Sequence, residues 1–166
     1  MERLLIIFSN LLIATVVLTV PAHAGQQLES YFFPGPELQL QTRWLVPHLR
    51  PNVDPQLSSM TVAESPFTEL RLVIPSMYVG KRVRVHAVLP AVAQGVEGSR
   101  GLEIEWRTQG VFQPGKLHMG ERVPFFEGVA KGPLLSDRIA VIVRADARHI
   151  SGPVRFETVY EIEEIP

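Results

Sequence analysis

The chain has 166 residues and no cysteine, and its 16 basic and 17 acidic side chains leave a formal charge of −1. That balance provides no net field to draw nucleic acid or an acidic membrane surface, so neither is expected as a partner. Without cysteine there is no disulfide framework, thiol catalysis or thiolate zinc site, so stability has to come from apolar packing and sheet hydrogen bonding.

The N-terminus reads MERLLIIFSNLLIATVVLTVPAHAG: one positive charge at Arg3, an apolar run from Leu4 to Val20, a break at Pro21, then the small-residue triplet Ala22, His23, Ala24. This is the layout of a secretory signal peptide over 1–24, with cleavage expected after Ala24. The apolar run contains Ser9, Asn10, Thr15 and Thr19 and is short for a bilayer-spanning helix, so a retained anchor is the alternative and no stable membrane insertion is expected after cleavage. Residues 25–166 then form one domain, exported to the periplasm or secreted.

Residues 25–36 are polar and then aromatic, with Tyr31, Phe32 and Phe33 before Pro34, Gly35 and Pro36, and predict an extended lead-in. Leu38, Leu40, Thr42 and Trp44 alternate with polar neighbours as a strand does, and Pro47, Pro51 and Pro55 make the next stretch a loop. Leu70, Leu72 and Ile74 alternate in a second strand. After a turn at Tyr78–Lys81, Val83, Val85, Ala87 and Leu89 face one way and Arg82, Arg84, His86 and Val88 the other. Beyond the Gly95–Gly101 loop, Leu102, Ile104 and Trp106 define a strand that aims the indole at the core. From Gln109 to Ser136 glycine and proline break the alternation, which predicts a loop-rich insert holding a hairpin or an edge strand. The last stretch, Asp137 to Glu164, reads as two strands joined by a turn. Ile139–Val143 is apolar at every position, as in a strand buried on both faces, and Val154, Phe156, Thr158, Tyr160 and Ile162 alternate with charged residues.

No stretch of the mature chain shows helical apolar spacing. The fold class is therefore all-β: a single antiparallel β-sandwich of about seven strands, immunoglobulin-like, with a small barrel as the structural alternative. The turn from Asp146 to Phe156, with Asp146, His149 and Gly152 preceding Val154-x-Phe156, resembles over about a dozen residues the final hairpin of periplasmic copper-resistance proteins of the CopC type. The resemblance implies an immunoglobulin-like sandwich. In that family an N-terminal histidine is also a ligand, where the expected mature terminus here is Gly25.

Histidine and methionine are the available soft-metal donors, and His118 with Met119, adjacent in the glycine-rich insert, are the candidate pair for copper. Adjacent donors need a further ligand, which no chelating spacing supplies, so no cofactor is expected. No serine lies in a Gly-x-Ser-x-Gly elbow. Glu103 and Glu105 share a strand face, but carboxylates at i and i+2 suit a ladder with Arg107, Arg144 and Arg155 better than a glycosidase pair. The turn residues Arg148 and His149, with Trp44 and Phe33 as aromatic anchors, are the candidate binding residues. The sequence reading is thus an exported, non-catalytic module that binds a protein or envelope component. A periplasmic copper-binding protein is the second reading, and an envelope hydrolase the third.

Overall fold

The computed structural model describes residues 25–35, 40, 42–44, 59–98 and 101–166. The expected signal peptide, its cleavage point, and most of the expected Leu38–Trp44 strand and the proline loop after it lie outside these residues. The strands are β1 (Gln26–Leu28), β2 (Ser30–Phe33), β3 (Thr42–Trp44), β4 (Met60–Glu64), β5 (Thr68–Val73), β6 (Arg82–Val88) and β7 (Gln94–Val96). They continue with β8 (Leu102–Thr108), β9 (Gly115–His118), β10 (Arg122–Val129), β11 (Leu134–Asp146), β12 (Ile150–Arg155) and β13 (Val159–Glu164). Two single 3₁₀ turns, Ser76–Tyr78 and Ala147–His149, are the helical elements among the described residues.

All pairings are antiparallel, and they form two principal sheets. One runs β1-β13-β6-β10. In the other, β11 is central, with β8 and then β9 on one side and β4 and β5 on the other. β4 and β5 are one strand interrupted. Glu64 stands opposite Ile142 and Thr68 opposite Ile139, so the three residues Ser65, Pro66 and Phe67 face only Ala140 and Val141. Pro66 has no N–H to give, which makes this the natural place for a bulge. Ser65 keeps the ladder intact: its N–H donates to the Val141 carbonyl at 2.8 Å, and its Oγ accepts from the Val141 N–H at 2.9 Å.

Val83, Val85, Tyr160 and Ile162 from the first sheet and Leu70, Leu72, Trp106, Ile139, Val141 and Val143 from the second share one core, an arrangement consistent with a β-sandwich. Trp106 is buried as its alternation requires. Its indole N–H donates to the Gln113 carbonyl at 2.7 Å and its ring leans on Phe125. Gly115 lies so close to that ring that an added Cβ would sit 2.7 Å from the indole, so the position opposite Trp106 has to be glycine. At the sandwich edges the chain passes between sheets. β1 pairs with β13, whereas β2, one residue later, pairs with β5. The insert holds no hairpin: β9 pairs with β8 at the edge of one sheet, and β10 pairs with β6 in the other. Among the described residues no ladder joins β9 to β10, so the sheets stay open.

Ile139–Val143 is buried throughout, as its composition demands. The hairpin expected from Asp137 to Glu164 does not form. β12 pairs with β7 in a separate two-stranded ribbon, and β13 crosses to the other sheet beside β6. Phe156, Glu157 and Thr158 lie between them. The alternation identified the inward residues correctly, because parity reports the face of a strand. It carries no information about which strand lies alongside.

Candidate functional site

Ion pairs line part of each outer sheet face. On the β11 sheet, Arg144 donates to Glu103 at 2.8 Å and to Glu105 at 2.7 Å. Arg107 lies 3.9 Å from Glu105 and 3.7 Å from Glu64. Since Arg107 is on β8 and Glu64 on β4, with β11 between them, the Arg107 side chain has to cross β11 over Ala140 and Ile142. Ala140 and Ile142, which point away from the shared core, are buried on this face, as is Val62 opposite Arg144. His118 extends the row, its Nε2 3.5 Å from Glu103. Arg155, expected in this ladder, is on β12 in the ribbon instead.

On the β6 sheet, Arg84 donates twice to Glu127, and Arg122 donates to Glu161 at 2.9 Å and lies 3.8 Å from Glu163. His86 sits beneath this layer, its side chain only 8% exposed and its Nδ1 without a hydrogen-bond partner. Burial pushes the imidazole below its ordinary value. Arg122 and Arg84 push the same way, and Glu163, 3.8 Å off, and Glu161 oppose them.

The exposed large apolar side chains gather elsewhere. Met77 and Val79 lie on the β5–β6 connection, Val111 on the β8–β9 connection, and Val129 and Leu134 flank the β10–β11 connection. These three connections are neighbours at one end of the sandwich. Gly80 N–H donates to Ala130 carbonyl, Ala130 N–H to Lys81 carbonyl and Ile74 N–H to Pro133 carbonyl. Asp137, buried, fixes the third by accepting from Phe112 N–H at 2.9 Å and Arg138 N–H at 2.6 Å. Val111, Phe126, Val129, Leu134 and Leu135 line an open groove of about 290 Å³ there, with Lys131 as its charged member. Sequence reading missed this end. Its residues are single apolar side chains scattered from Met77 to Leu134, and nothing local marks them as neighbours.

The candidate residues taken from the sequence are not brought to one place. Arg148 and His149 sit in the 3₁₀ turn after β11. Arg148 is exposed but engaged, since its guanidinium clamps Asp146 with contacts of 2.6–3.1 Å. That clamp and the Arg148 backbone N–H hold the Asp146 carboxyl well below the usual carboxylate range. His149 is half-buried against Gly101, and its carbonyl accepts from Glu97 N–H. Phe33 is half-exposed on β2, with the Arg71 guanidinium stacked 4.6 Å above its ring. Phe33 faces Glu69, which in turn faces Arg138. From Arg138 to Asp146 is eight residues of β11, roughly 26 Å at strand rise, so Phe33 and Arg148 cannot grip one small ligand. Trp44 pairs through its backbone with Thr61, opposite Ala145, which places β3 toward the Arg148 end; its side chain is outside the described residues.

The candidate copper pair is divided. His118 faces outward toward Glu103, while Met119 is buried in the core, 6% exposed. Among the described residues no three His, Asp or Glu side chains are grouped to hold a metal ion. A second, wider groove, lined by Gln27, Leu28, Glu29, Ser30, Glu157, Thr158 and Val159, follows the edge where the chain changes sheets. It sets Ser30 near two carboxylates but carries no histidine. Comparison of the chain with protein-family models, with curated proteins and with solved structures returns no match.

Proposed function

We propose that this is an exported, non-catalytic β-sandwich module, immunoglobulin-like in arrangement, that binds a protein or envelope component through the loop end carrying Met77, Val79, Val111, Val129 and Leu134. The immunoglobulin-like reading draws on the sheet-switching N-terminal strand, Trp106 in the shared core and the resemblance at Asp146–Phe156. The observation that carries the binding reading is the uneven distribution of exposed apolar surface: five of the eight large apolar side chains exposed among the described residues stand on or beside adjacent connections at one end. Apolar groups gathered on loops held by a rigid frame serve contact with something outside the molecule. Export rests on the N-terminal layout. A copper site would have to use His118 without Met119.

Crosslinking in whole cells followed by purification from the envelope tests the reading. The expected product is a specific adduct lost on Val111→Asp. Recovery of the protein alone from the crosslinked extract, with no envelope association, would overturn it.

A further inference from the structure

The groove at the loop end lies between two strand edges that have no neighbour. β10 is the outer strand of its sheet and pairs with β6 alone. The 109–114 connection touches its open edge where Gln113 N–H donates to the Phe125 carbonyl, and from Phe126 to Val129 no described backbone group bonds to that edge. Across the groove, β8 follows β11 only as far as Arg138, whose carbonyl accepts from Gln109 N–H, so Leu134 and Leu135 pair with β5 on one side and with nothing described on the other. The pairing also identifies the free groups on β10. Ala130 N–H donates toward β6, to the Lys81 carbonyl, whereas the Arg82 carbonyl, opposite Val129, accepts from Ile165 on the β13 side. Arg82 and Val129 therefore form a pair with no hydrogen bonds between them, and Val129 turns its N–H and C=O away from β6; Glu127, two residues back, does the same. Two donors and two acceptors stand in a row at strand spacing. Phe126 and Gly128, between and beside them, line the groove, and Gly128 puts no side chain into it.

We propose that an extended segment of a protein partner adds to β10 as a further strand over Phe126–Val129, with alternate apolar side chains entering the groove against Phe126 and Leu135 and a carboxylate beside Lys131. The proposal rests on the binding reading and names the partner by its conformation and chemistry. The free backbone groups select a strand. Strand addition satisfies the N–H and C=O groups of Glu127 and Val129, while the pockets beside them receive every second side chain. A helix has already bonded its own backbone groups, and the apolar layer of a membrane has none to offer, so either would cover this edge and leave it unpaired. Charge selects the carboxylate. Lys131 is exposed in the groove and has no ion-pair partner among the described residues, whereas nearby Lys81 is satisfied by Glu164 at 2.6 Å. Exposed Val111 and Leu134 line the same groove and lie against the incoming segment.

Selection of a displayed library of random dodecapeptides on the exported full chain, followed by synthesis of the leading peptide, tests this. The enriched sequences are expected to alternate apolar residues and to carry an acidic one. At saturation the peptide slows amide exchange at Glu127 and Val129 by at least about tenfold, and leaves Phe126 and Gly128, already bonded toward β6, nearly unchanged. Backbone N-methylation of the peptide abolishes binding at every second position and is tolerated between them, and Lys131→Glu weakens binding roughly tenfold. Failure to enrich any peptide, or binding that leaves Glu127 and Val129 unprotected and is indifferent to the parity of N-methylation, overturns strand addition. Vesicles of phosphatidylethanolamine and phosphatidylglycerol that bind this end with those two amides unprotected also overturn it and assign the end to lipid. In each case the binding reading stands or falls separately, on the crosslinked adduct and its loss in Val111→Asp.

Discussion

Replacing Ser65 by alanine removes one oxygen from a site that has no substitute for it. Ser65 is buried at the bulge between β4 and β5, and its Oγ is the acceptor for the Val141 N–H in the middle of the central strand. The bulge holds the neighbouring carbonyls out of ladder register, so Ser65→Ala leaves a buried donor unpaired instead of exchanging one partner for another. An orphaned buried amide costs about 1–3 kcal/mol, which for a domain of this size lowers the melting temperature by roughly 3–12 °C. Thermal unfolding followed by circular dichroism measures that loss, with Ser136→Ala, at an exposed position, as the control expected to melt like the parent. Amide exchange gives a more local readout: Val141 N–H exchanges faster in Ser65→Ala while its neighbours on β11 stay protected. An unchanged melting temperature together with unchanged protection at Val141 would refute the account of the bulge.

Val141→Asp places a carboxylate in the shared core with no partner and is expected to prevent folding; a soluble variant with the parent's melting curve would contradict that. His86 makes stability fall in mild acid. Its folded-state value is depressed, so the unfolded chain binds the extra proton first. The contribution is complete above about pH 6.5 and is lost as pH drops through the folded value. Denaturant midpoints measured on either side of that window should converge in His86→Phe, and a slope that persists in the variant would reassign the effect. Arg148→Ala removes the clamp on Asp146, whose depressed carboxyl contributes stability above its ordinary range that disappears in acid. The acid-unfolding midpoint should move to higher pH, modestly because the guanidinium is largely exposed, and an unmoved midpoint would show the clamp to be energetically idle.

The parts of the fold that could be read in advance are those where one residue in two faces the core without interruption. β6 and β8 follow that rule, and β11 announces itself by having no polar break from Ile139 to Val143. β10 could not be read because a bulge between Pro124 and Phe126 puts both Phe125 and Phe126 in the core, and two consecutive inward aromatics look like a broken pattern. The bulge at Ser65 hid the continuity of β4 and β5 in the same way. The separation of β12 from β13 was invisible for a different reason: alternation is preserved through Phe156 while the chain leaves one sheet and enters another. Of the two turn residues, Arg148 is exposed and His149 is half-buried. The separation of Phe33 from Arg148, and the division of His118 from Met119, follow from topology and from the parity of neighbouring strand residues, neither of which a short motif records.

The position of Arg107 bears on the proposal that binding takes place at an end of this molecule. A central strand apolar on both sides ordinarily calls for a third layer, a helix or another sheet, over its outer face. Here the second side of β11 is narrow: Ala140 and Ile142 are its apolar members, followed by Arg144. One arginine from β8 reaches 3.7 Å from Glu64 on β4, across β11, and a second, from β11 itself, is tied to Glu103 and Glu105. These exposed pairs add little stability individually. What they change is availability. Paired charges on this face offer a partner few unpaired groups, and the Arg84, Arg122 and Glu127 layer does the same on the opposite face, although Phe33 and Tyr31 stay exposed on β2 at the edge of the β11 sheet. The connections at the two ends remain, and among the described residues one of them gathers Met77, Val79, Val111, Val129 and Leu134. The proposed contact with a binding partner is therefore assigned to that end by its apolar character.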